Sequence, residues 1–260
     1  MLQFEKSPGG IATITLNNPA KLNAFDNVML ADWAAALQES QADDAVAVVI
    51  VTGAGRAFCS GGDLGTMGEV DGNAALYIGD YLRNHVHPVA RAVDALQKPY
   101  LGAINGVATG AGMDMALMTD IRYAARSARF AESYIKVGLV PGDGGAFLLP
   151  RLVGLTKALE LLWTGDFVNA EEAERLGIVS KVCDDDALMA DITALAERLA
   201  AGPRIAIRLM KQVVYKSLRQ DFLGALDFVT GPMGVAFNTA DHREAVKAFS
   251  EKRTPNFTGR

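Results

Sequence analysis

The sequence predicts an α/β fold built from repeated strand–strand–helix units, followed by a helical C-terminal part. Three observations predict it. Short apolar, β-branched runs with the length of strands recur along the first 150 residues. Two such runs lead into glycine-rich segments, 56–64 and 104–114, after which a helix can begin. From Thr156 onward, apolar residues recur at helical spacing.

The elements of the first part follow from local pattern. The predicted strands lie at 11–16, 46–51, 100–104, 121–124 and 128–131. Asp26 is predicted to cap a helix that runs through Leu37. Residues 66–84 are polar and punctuated by glycine, which predicts a mobile loop and helix over a site. Further helices are predicted at 86–96 and 111–117.

The C-terminal part is predicted to be a series of helices. These lie at 156–163, 170–176, 184–201, 203–217 and 219–250. Breaks are expected at Gly202-Pro203 and Gly231-Pro232, because proline removes a backbone donor and glycine weakens a helix.

Composition narrows the function classes. The chain has 260 residues, half of them hydrophobic, and a net charge of −5, which predicts one large globular domain without a basic nucleic-acid footprint. Cys59 and Cys183 form neither a CxxC metal motif nor a disulfide framework, which favours a reducing compartment. The first residues lack a signal-peptide pattern, and no apolar run approaches the ~20 residues that span a bilayer. We therefore expect a cytoplasmic protein with no metal site, no nucleic-acid partner and no membrane span.

The two glycine-rich segments indicate chemistry at a carbonyl group. Each is a strand-to-helix turn with few bulky side chains. Two such turns can aim two backbone N–H groups at one point. A pair of donors of this kind is an oxyanion hole, which stabilises negative charge on a carbonyl oxygen.

These segments, together with other short motifs, resemble the crotonase superfamily, also called enoyl-CoA hydratase/isomerase, over essentially the whole chain. Segment 138–151 and the ending 249–257 look most like the phenylacetate-pathway isomerase branch. The matching motifs are Leu22-Asn23-Ala24, 57–64, Lys98-Pro99, 105–108, 110–112, 120–122, 138–141, 161–165, Ala173-Glu174 and 177–179.

The resemblance implies a fold, an assembly and a substrate. The fold is the α/β crotonase (ClpP/crotonase-like) fold, with a core of β-β-α units at 1–200. A helical trimerisation region at 201–260 covers the site and packs on neighbouring subunits. The implied assembly is a homotrimer or a dimer of trimers. The implied substrate is an acyl-CoA thioester, with no cofactor beyond its CoA moiety.

The resemblance also assigns candidate residues. The oxyanion-hole donors match the N–H groups of Gly62 and Ala111. Ala111 replaces the more usual glycine, which is acceptable if its φ is negative, because the donor is backbone. The positions that match CoA-binding residues are Lys21, Leu22, Ala24, Ala57, Ser60, Gly61, Gly62, Asp63, Leu64 and Lys252. The substrate-pocket candidates are Met67, Tyr134, Pro141 and Gly142.

The acid–base positions depart from the hydratase pattern. The two glutamates of that pattern match Asp114 and Tyr134, so the second carboxylate is missing. Related isomerases carry an aspartate base where this chain has Gly142, one position before Asp143. Either Asp143 or Asp114 is therefore the candidate base. Isomerisation is favoured over hydration because a double-bond shift needs only one proton shuttle. Hydration, thioester hydrolysis or decarboxylation, and a non-catalytic acyl-CoA-binding role remain alternatives.

Overall fold

The structure is a computed structural model that describes residues 2–63 and 74–260. Its strands form two sheets. The strands are β1 Leu2–Lys6, β2 Ile11–Leu16, β3 Val48–Gly53, β4 Ala57–Cys59, β5 Tyr100–Ile104, β6 Val107–Thr109, β7 Ile121–Ala125, β8 Arg129–Ala131, β9 Val168–Asn169 and β10 Lys181–Cys183.

Helices follow the strands and make up most of the C-terminal third. The helices are α1 Asn27–Ala42, α2 Ala74–Tyr81, α3 His87–Ala95, α4 Ala111–Leu117, α5 Gly145–Val153, α6 Leu155–Thr164, α7 Ala170–Arg175, α8 Leu188–Ala200, α9 Arg204–Ser217, α10 Phe222–Phe237 and α11 Ala240–Ser250. A wide π-helical turn, Leu82–Val86, joins α2 to α3. Shorter 3₁₀ turns lie at Pro19–Lys21 and Ser133–Val137. None of the helices in the described ranges is long and apolar enough to cross a bilayer.

The repeated unit that the sequence predicts is confirmed. The larger sheet has the order β1-β2-β3-β5-β7-β10, and the smaller sheet has the order β4-β6-β8-β9. A strand of the larger sheet is followed by a strand of the smaller one and then by a helix, as in β5-β6-α4 and β7-β8-α5. Strands β4, β6 and β8 are parallel. Their carboxyl ends therefore meet at one edge of the small sheet, where ligand sites of parallel sheets form.

Buried polar side chains fix the turn between β3 and β4. The Asn23 Nδ2 group donates to the carbonyl oxygens of Ala54 and Ala57, at 2.9 and 2.8 Å. The Asn105 Nδ2 group also donates to Ala57, and its Oδ1 accepts the Gly53 N–H. These bonds satisfy backbone groups that would otherwise be buried without partners. They therefore set the direction in which β4 leads into the first glycine-rich segment.

Most predicted elements are confirmed with small shifts of their ends. Asp26 caps α1 by accepting the Met29 N–H at 2.8 Å. The second predicted strand lies two residues later, at Val48–Gly53. Of the segment predicted as a mobile loop and helix, residues 66–73 lie outside the described residues and α2 occupies Ala74–Tyr81.

The break predicted at Gly231-Pro232 is wrong. Pro232 lies inside α10. Proline costs a helix one backbone hydrogen bond, but its fixed φ is compatible with the helical conformation. The chain instead breaks at Asn238-Thr239, where the Thr239 hydroxyl caps α11 by accepting the His242 N–H at 3.0 Å. The break predicted at Gly202-Pro203 is confirmed, since α8 ends at Ala200 and α9 begins at Arg204.

Candidate active site

The first glycine-rich segment leaves one N–H group directed away from its neighbouring chain. The Phe25 N–H donates to Gly61 O at 2.9 Å, and the Asp63 N–H donates to Phe25 O at 3.0 Å. These two bonds form a parallel bridge at Gly62. In a parallel bridge the central residue's own N–H points to the opposite side. The Gly62 N–H therefore points away from Phe25.

The second glycine-rich segment supplies a similar group at the start of α4. Gly110 has a φ of +53°, and Ala111 is the first residue of the helix. N–H groups of a first helical turn have no acceptor within the helix. Among the described residues, positive φ values outside glycine occur only at Leu22, Asn23 and Lys252. The φ of Ala111 is therefore negative, as its alanine side chain requires.

The two segments touch each other. Gly61 has a φ of +97°, and a methyl group added to it would lie 3.4 Å from the Ala111 nitrogen. A methyl group on Gly112 would lie 2.1 Å from Cys59 O, so α4 begins directly against the end of β4. Within the described ranges, neither Gly62 N–H nor Ala111 N–H has a protein acceptor. The two N–H groups proposed as oxyanion-hole donors thus lie on adjoining turns, and neither has an acceptor among the residues that the structure describes.

Cys59 packs beneath this pair of turns. Its Sγ accepts the Gly61 N–H at 3.4 Å and donates to Asn23 O at 3.2 Å. Burial raises the pKa of the Cys59 thiol to about 12, with the negative charge of Asp143 as a smaller cause. The thiol stays protonated at neutral pH, which suits the packing role predicted from the sequence.

Most of the residues matched to CoA binding form one strip beside Gly62. The Ser60 N–H donates to Leu22 O at 3.0 Å, and its hydroxyl donates to Lys21 O at 3.1 Å. Lys21 Nζ forms an ion pair with Asp63 Oδ2 at 2.5 Å. Ala24 and Ala57 belong to the same strip, and both are buried.

Two of the other predicted site residues, Leu64 and Met67, lie outside the described residues. A third, Lys252, is not part of this strip. Lys252 is exposed just after α11, and its backbone N–H donates to Phe249 O. Within the described chain, no hydrogen bond or ion pair connects Lys252 with Lys21–Asp63.

The acid candidates meet around the hydroxyl group of Tyr134. This hydroxyl lies 2.9 Å from Asp114 Oδ2 and 3.1 Å from Asp143 Oδ2. The Asp143 N–H donates to the same Asp114 oxygen at 3.2 Å. The turn that carries Asp143 is held by the His87 Nε2–H, which donates to Gly142 O at 2.9 Å. Asp143 therefore reaches Asp114 despite its one-position offset from the isomerase aspartate.

Sequence reasoning missed a third acid, Glu132. This residue directly follows β8 and is buried. A methyl group on Gly145 would lie 2.0 Å from Asp114 Oδ1 and 2.8 Å from Glu132 Oε1, so both carboxyl groups lie over that glycine. Glu132 therefore adds a carboxyl group beside Asp114, while the position that matches the second hydratase glutamate is still Tyr134. The signal was the position of Glu132 at the carboxyl end of a parallel strand.

Burial controls the protonation of these acids. It raises the pKa of Asp143 to about 7, with the charge of Asp114 as the second cause and the Tyr134 hydrogen bond opposing both. It raises the pKa of Glu132 to about 10, again with Asp114 adding to the shift. Burial also raises the pKa of Asp114, but hydrogen bonds from Gly145, Tyr134, Glu132 and Asp143 oppose that shift. The pKa of Tyr134 is raised too, so its hydroxyl stays neutral.

Asp143 also faces open space. A cavity of about 370 Å³ lies between α3, α4, α5 and α9. Its described lining includes Asp143 and Gly144 but neither Asp114 nor Glu132. Its apolar lining residues include Leu117, Met118, Phe147 and Leu148. Of the three acids, Asp143 is therefore the one that borders a space able to hold an apolar group.

The two sheets, the paired glycine turns and the C-terminal helices together define a crotonase-fold protein. Comparison with known proteins agrees. The sequence model of the enoyl-CoA hydratase/isomerase family matches residues 6–260. The crystal structure of an enoyl-CoA hydratase from Bacillus anthracis matches with a TM-score of 0.94 at 30% identity, over 100% of this chain and 99% of that one.

Named relatives fall into two groups by activity. The 1,2-epoxyphenylacetyl-CoA isomerase of Escherichia coli (strain K12) is 38% identical over 251 residues, which cover 96% of each chain. The short-chain-enoyl-CoA hydratase of Clostridium acetobutylicum is 35% identical over 246 residues, which cover 94% of this chain and 93% of that protein. The chain belongs to the enoyl-CoA hydratase/isomerase family and is an enzyme of that family. The predicted resemblance is confirmed.

Proposed function

We propose that this protein shifts the double bond of an enoyl-CoA thioester, with Asp143 as the proton-carrying base. The thioester carbonyl oxygen accepts hydrogen bonds from the N–H groups of Gly62 and Ala111. The relatives include both an isomerase and a hydratase, so the choice between the two reactions depends on the acids of this chain.

One observation carries the choice of isomerisation. The Tyr134 hydroxyl lies between Asp114 and Asp143, at 2.9 and 3.1 Å from their nearest oxygens. Hydration needs a positioned water molecule and usually two groups that move protons. Here a side-chain hydroxyl occupies the space between the two aspartates. This supports a reaction that moves a proton and adds no water.

The proposed reaction balances without a co-reactant. Asp143 removes a proton from the α carbon of a β,γ-enoyl thioester, and the electron pair of that C–H bond moves toward the carbonyl oxygen. Two backbone donors stabilise the resulting thioenolate by roughly 3 kcal/mol each, if they act like measured oxyanion-hole donors. Asp143 then returns the proton to the γ carbon, which leaves the double bond between the α and β carbons. A pKa of about 7 suits a group that must both accept and return a proton.

The CoA moiety is proposed to lie along Lys21–Ala24 and Ser60–Asp63. The hydrogen bonds from Ser60 to Lys21 and Leu22 hold these two segments together beside Gly62. Lys21 is exposed and carries a positive charge that can meet a phosphate group. The proposed reaction needs no cofactor beyond the CoA of its substrate.

We further propose that the chain assembles as a homotrimer or a dimer of trimers, with Lys252 reaching a neighbour's CoA phosphates. Helices α9 and α10 contain no buried residue. Phe222 and Phe249 are 75% and 88% exposed, which is unusual for such large apolar side chains. Sedimentation equilibrium checks the assembly against the 27.6 kDa chain. A monomer across the working concentration range would contradict it.

Hydration is the second candidate, because the structure does bring two carboxyl groups to one hydroxyl. Product analysis separates the candidates. Purified protein is given a β,γ-enoyl-CoA and, separately, its α,β isomer. Conjugated thioester is followed by absorbance, hydroxyacyl-CoA by mass spectrometry, and free CoA with a thiol reagent. We expect interconversion of the two isomers alone. Hydroxyacyl-CoA as the main product would establish hydration, free CoA would establish hydrolysis, and binding without turnover would remove the proposal.

A further inference from the structure

We propose that Glu132 is a positioning residue that keeps its proton at neutral pH and donates a hydrogen bond to Asp114, which keeps Asp114 ionised beside Tyr134 and Asp143. Its role in turnover rests on the proposed function, but its protonation can be measured without substrate. Nothing in the family resemblance points to this residue.

The Glu132 carboxyl group is buried without hydrogen-bond donors from the described residues. Glu132 is 1% exposed. Neither of its carboxyl oxygens has a hydrogen-bond donor among the described residues when every carboxyl group is ionised. Burying an acceptor without a donor is unfavourable, and more so when the acceptor is charged. A pair of ionised carboxylates has only acceptors, so it cannot satisfy itself.

The carboxyl groups of Asp114 and Glu132 approach each other closely over Gly145. A methyl group on Gly145 would lie within 2.0 Å of Asp114 Oδ1 and 2.8 Å of Glu132 Oε1. Glycine thus leaves the space in which these two oxygens meet. A single proton between them turns one acceptor into a donor and forms a hydrogen bond from one carboxyl group to the other. It also removes the repulsion between two like charges.

The hydrogen-bond donors around Asp114 and Glu132 determine which of the two carboxyl groups carries the proton. Asp114 Oδ2 accepts both the Tyr134 hydroxyl and the Asp143 N–H, and such donors favour the ionised form. No described donor faces the Glu132 carboxyl group. The proton therefore resides on Glu132. The direction of the shifts agrees, since the pKa of Glu132 is raised to about 10.

Glu132 affects the proposed base, Asp143, through the charge of Asp114. The Asp143 Oδ2 atom lies 3.1 Å from the Tyr134 hydroxyl oxygen, and the charge of Asp143 also acts on Tyr81 and Cys59. His87 holds the neighbouring Gly142 carbonyl. Among these groups Asp114 supplies the negative charge that raises the pKa of Asp143. When Asp114 loses its donor from Glu132, it takes up a proton more readily and that influence on Asp143 is reduced.

The test compares Glu132→Gln with Glu132→Ala, and uses Glu197→Gln on the exposed face of α8 as a matched control. The glutamine amide can still donate to Asp114, whereas alanine cannot. We expect the kcat of the alanine variant to fall by about tenfold or more. We expect the acid limb of its kcat/KM profile to lie about one pH unit lower than that of wild type. We expect the glutamine variant to keep that limb within about 0.3 pH units of wild type and to retain at least fivefold more kcat than the alanine variant. Equal losses in the two variants would overturn the proposal.

A substrate-free measurement keeps the proposal testable if the alanine variant does not fold or the isomerase proposal fails. Infrared difference spectra are recorded at about pH 8.5, where Asp143, with a pKa of about 7, is ionised and Glu132, with a pKa of about 10, is not. We expect wild type and Glu197→Gln to show the carbonyl band of one protonated carboxylic acid. We expect Glu132→Gln to lack it. Wild type without the band, or a band that persists in Glu132→Gln, would overturn the proposal.

Discussion

Replacing Asp114 with asparagine should move the pH dependence of turnover without removing the base. In the account given above, Asp143 must be ionised to accept a proton. Its pKa of about 7 owes its largest part to burial and its second part to the charge of Asp114. Asparagine has nearly the same shape as aspartate and can still accept the Tyr134 hydroxyl, but it carries no charge.

The size of the shift follows from the geometry. Asp114 and Asp143 bond the same hydroxyl oxygen at 2.9 and 3.1 Å, so their nearest oxygens are at most about 6 Å apart. At an effective dielectric constant of about 20, a unit charge at ~6 Å contributes ~2.8 kcal/mol, which corresponds to ~2 pKa units. The acid limb of kcat/KM should therefore move from about 7 in wild type toward about 5 in Asp114→Asn.

The assay is kcat/KM for a β,γ-enoyl-CoA over about two pH units on either side of neutrality. Wild type should rise about tenfold per pH unit below its limb and level off above it, because the base is active when deprotonated. Asp114→Asn should level off earlier and at a lower rate, since a weaker base accepts the proton less readily. Asp186→Asn, an exposed carboxyl replacement, should match wild type. An unmoved limb would refute the coupling, and a folded Asp114→Asn variant that is inactive at every pH would make Asp114 the base.

The remaining predictions concern the base, the oxyanion hole and stability. Asp143→Asn should lower kcat by about 10²–10⁴ while leaving the dissociation constant of a CoA thioester within about threefold, and near-normal kcat would exclude Asp143 as the base. Ala111→Pro deletes one donor at a first helical position that proline tolerates, so kcat should fall by about 10²–10³. Ala111→Ser keeps the N–H and should not share that loss, and an equal loss would remove the donor assignment. The pKa of Glu132 is about 10 in the folded state and near 4.5 in the unfolded state. The protonated Glu132 carboxyl group therefore contributes folding stability that is fully present below a pH of about 4.5 and is lost as the pH rises toward 10. Urea unfolding between about pH 6 and 8 should show wild type losing up to ~1.4 kcal/mol per pH unit relative to Glu132→Gln, and parallel pH dependences would contradict this.

The parts of the fold that depend on local residue pattern could be predicted from the sequence. β-Branched runs such as Ile11–Leu16 and the start of α4 at Ala111 depend on neighbours in the chain, and both were predicted at their observed positions. Pro232 was misjudged because a helix tolerates the loss of one hydrogen bond, which a rule based on residue type does not include.

The candidate site likewise has a part that the sequence pattern predicts and a part that it does not. The Gly62 and Ala111 turns carry their signal in glycine spacing, so the sequence alone indicates them. The positions of the acidic side chains depend on contacts between segments that are distant in the sequence. Glu132 meets Asp114 because β8 lies beside β6 and because Gly145 has no side chain. The approach of Asp143 to Asp114 depends on hydrogen bonds that position its turn, which an ungapped comparison of sequences does not contain.

The most direct test of the central claim is a crystal structure of the protein with a bound, non-reactive acyl-CoA analogue. We expect the thioester oxygen within hydrogen-bond distance of the Gly62 and Ala111 nitrogens. We also expect Asp143 to be the carboxyl group nearest the α carbon, with the Tyr134 hydroxyl still between Asp143 and Asp114. A thioester oxygen bound elsewhere, or a water molecule held between the two aspartates with Tyr134 displaced, would contradict it.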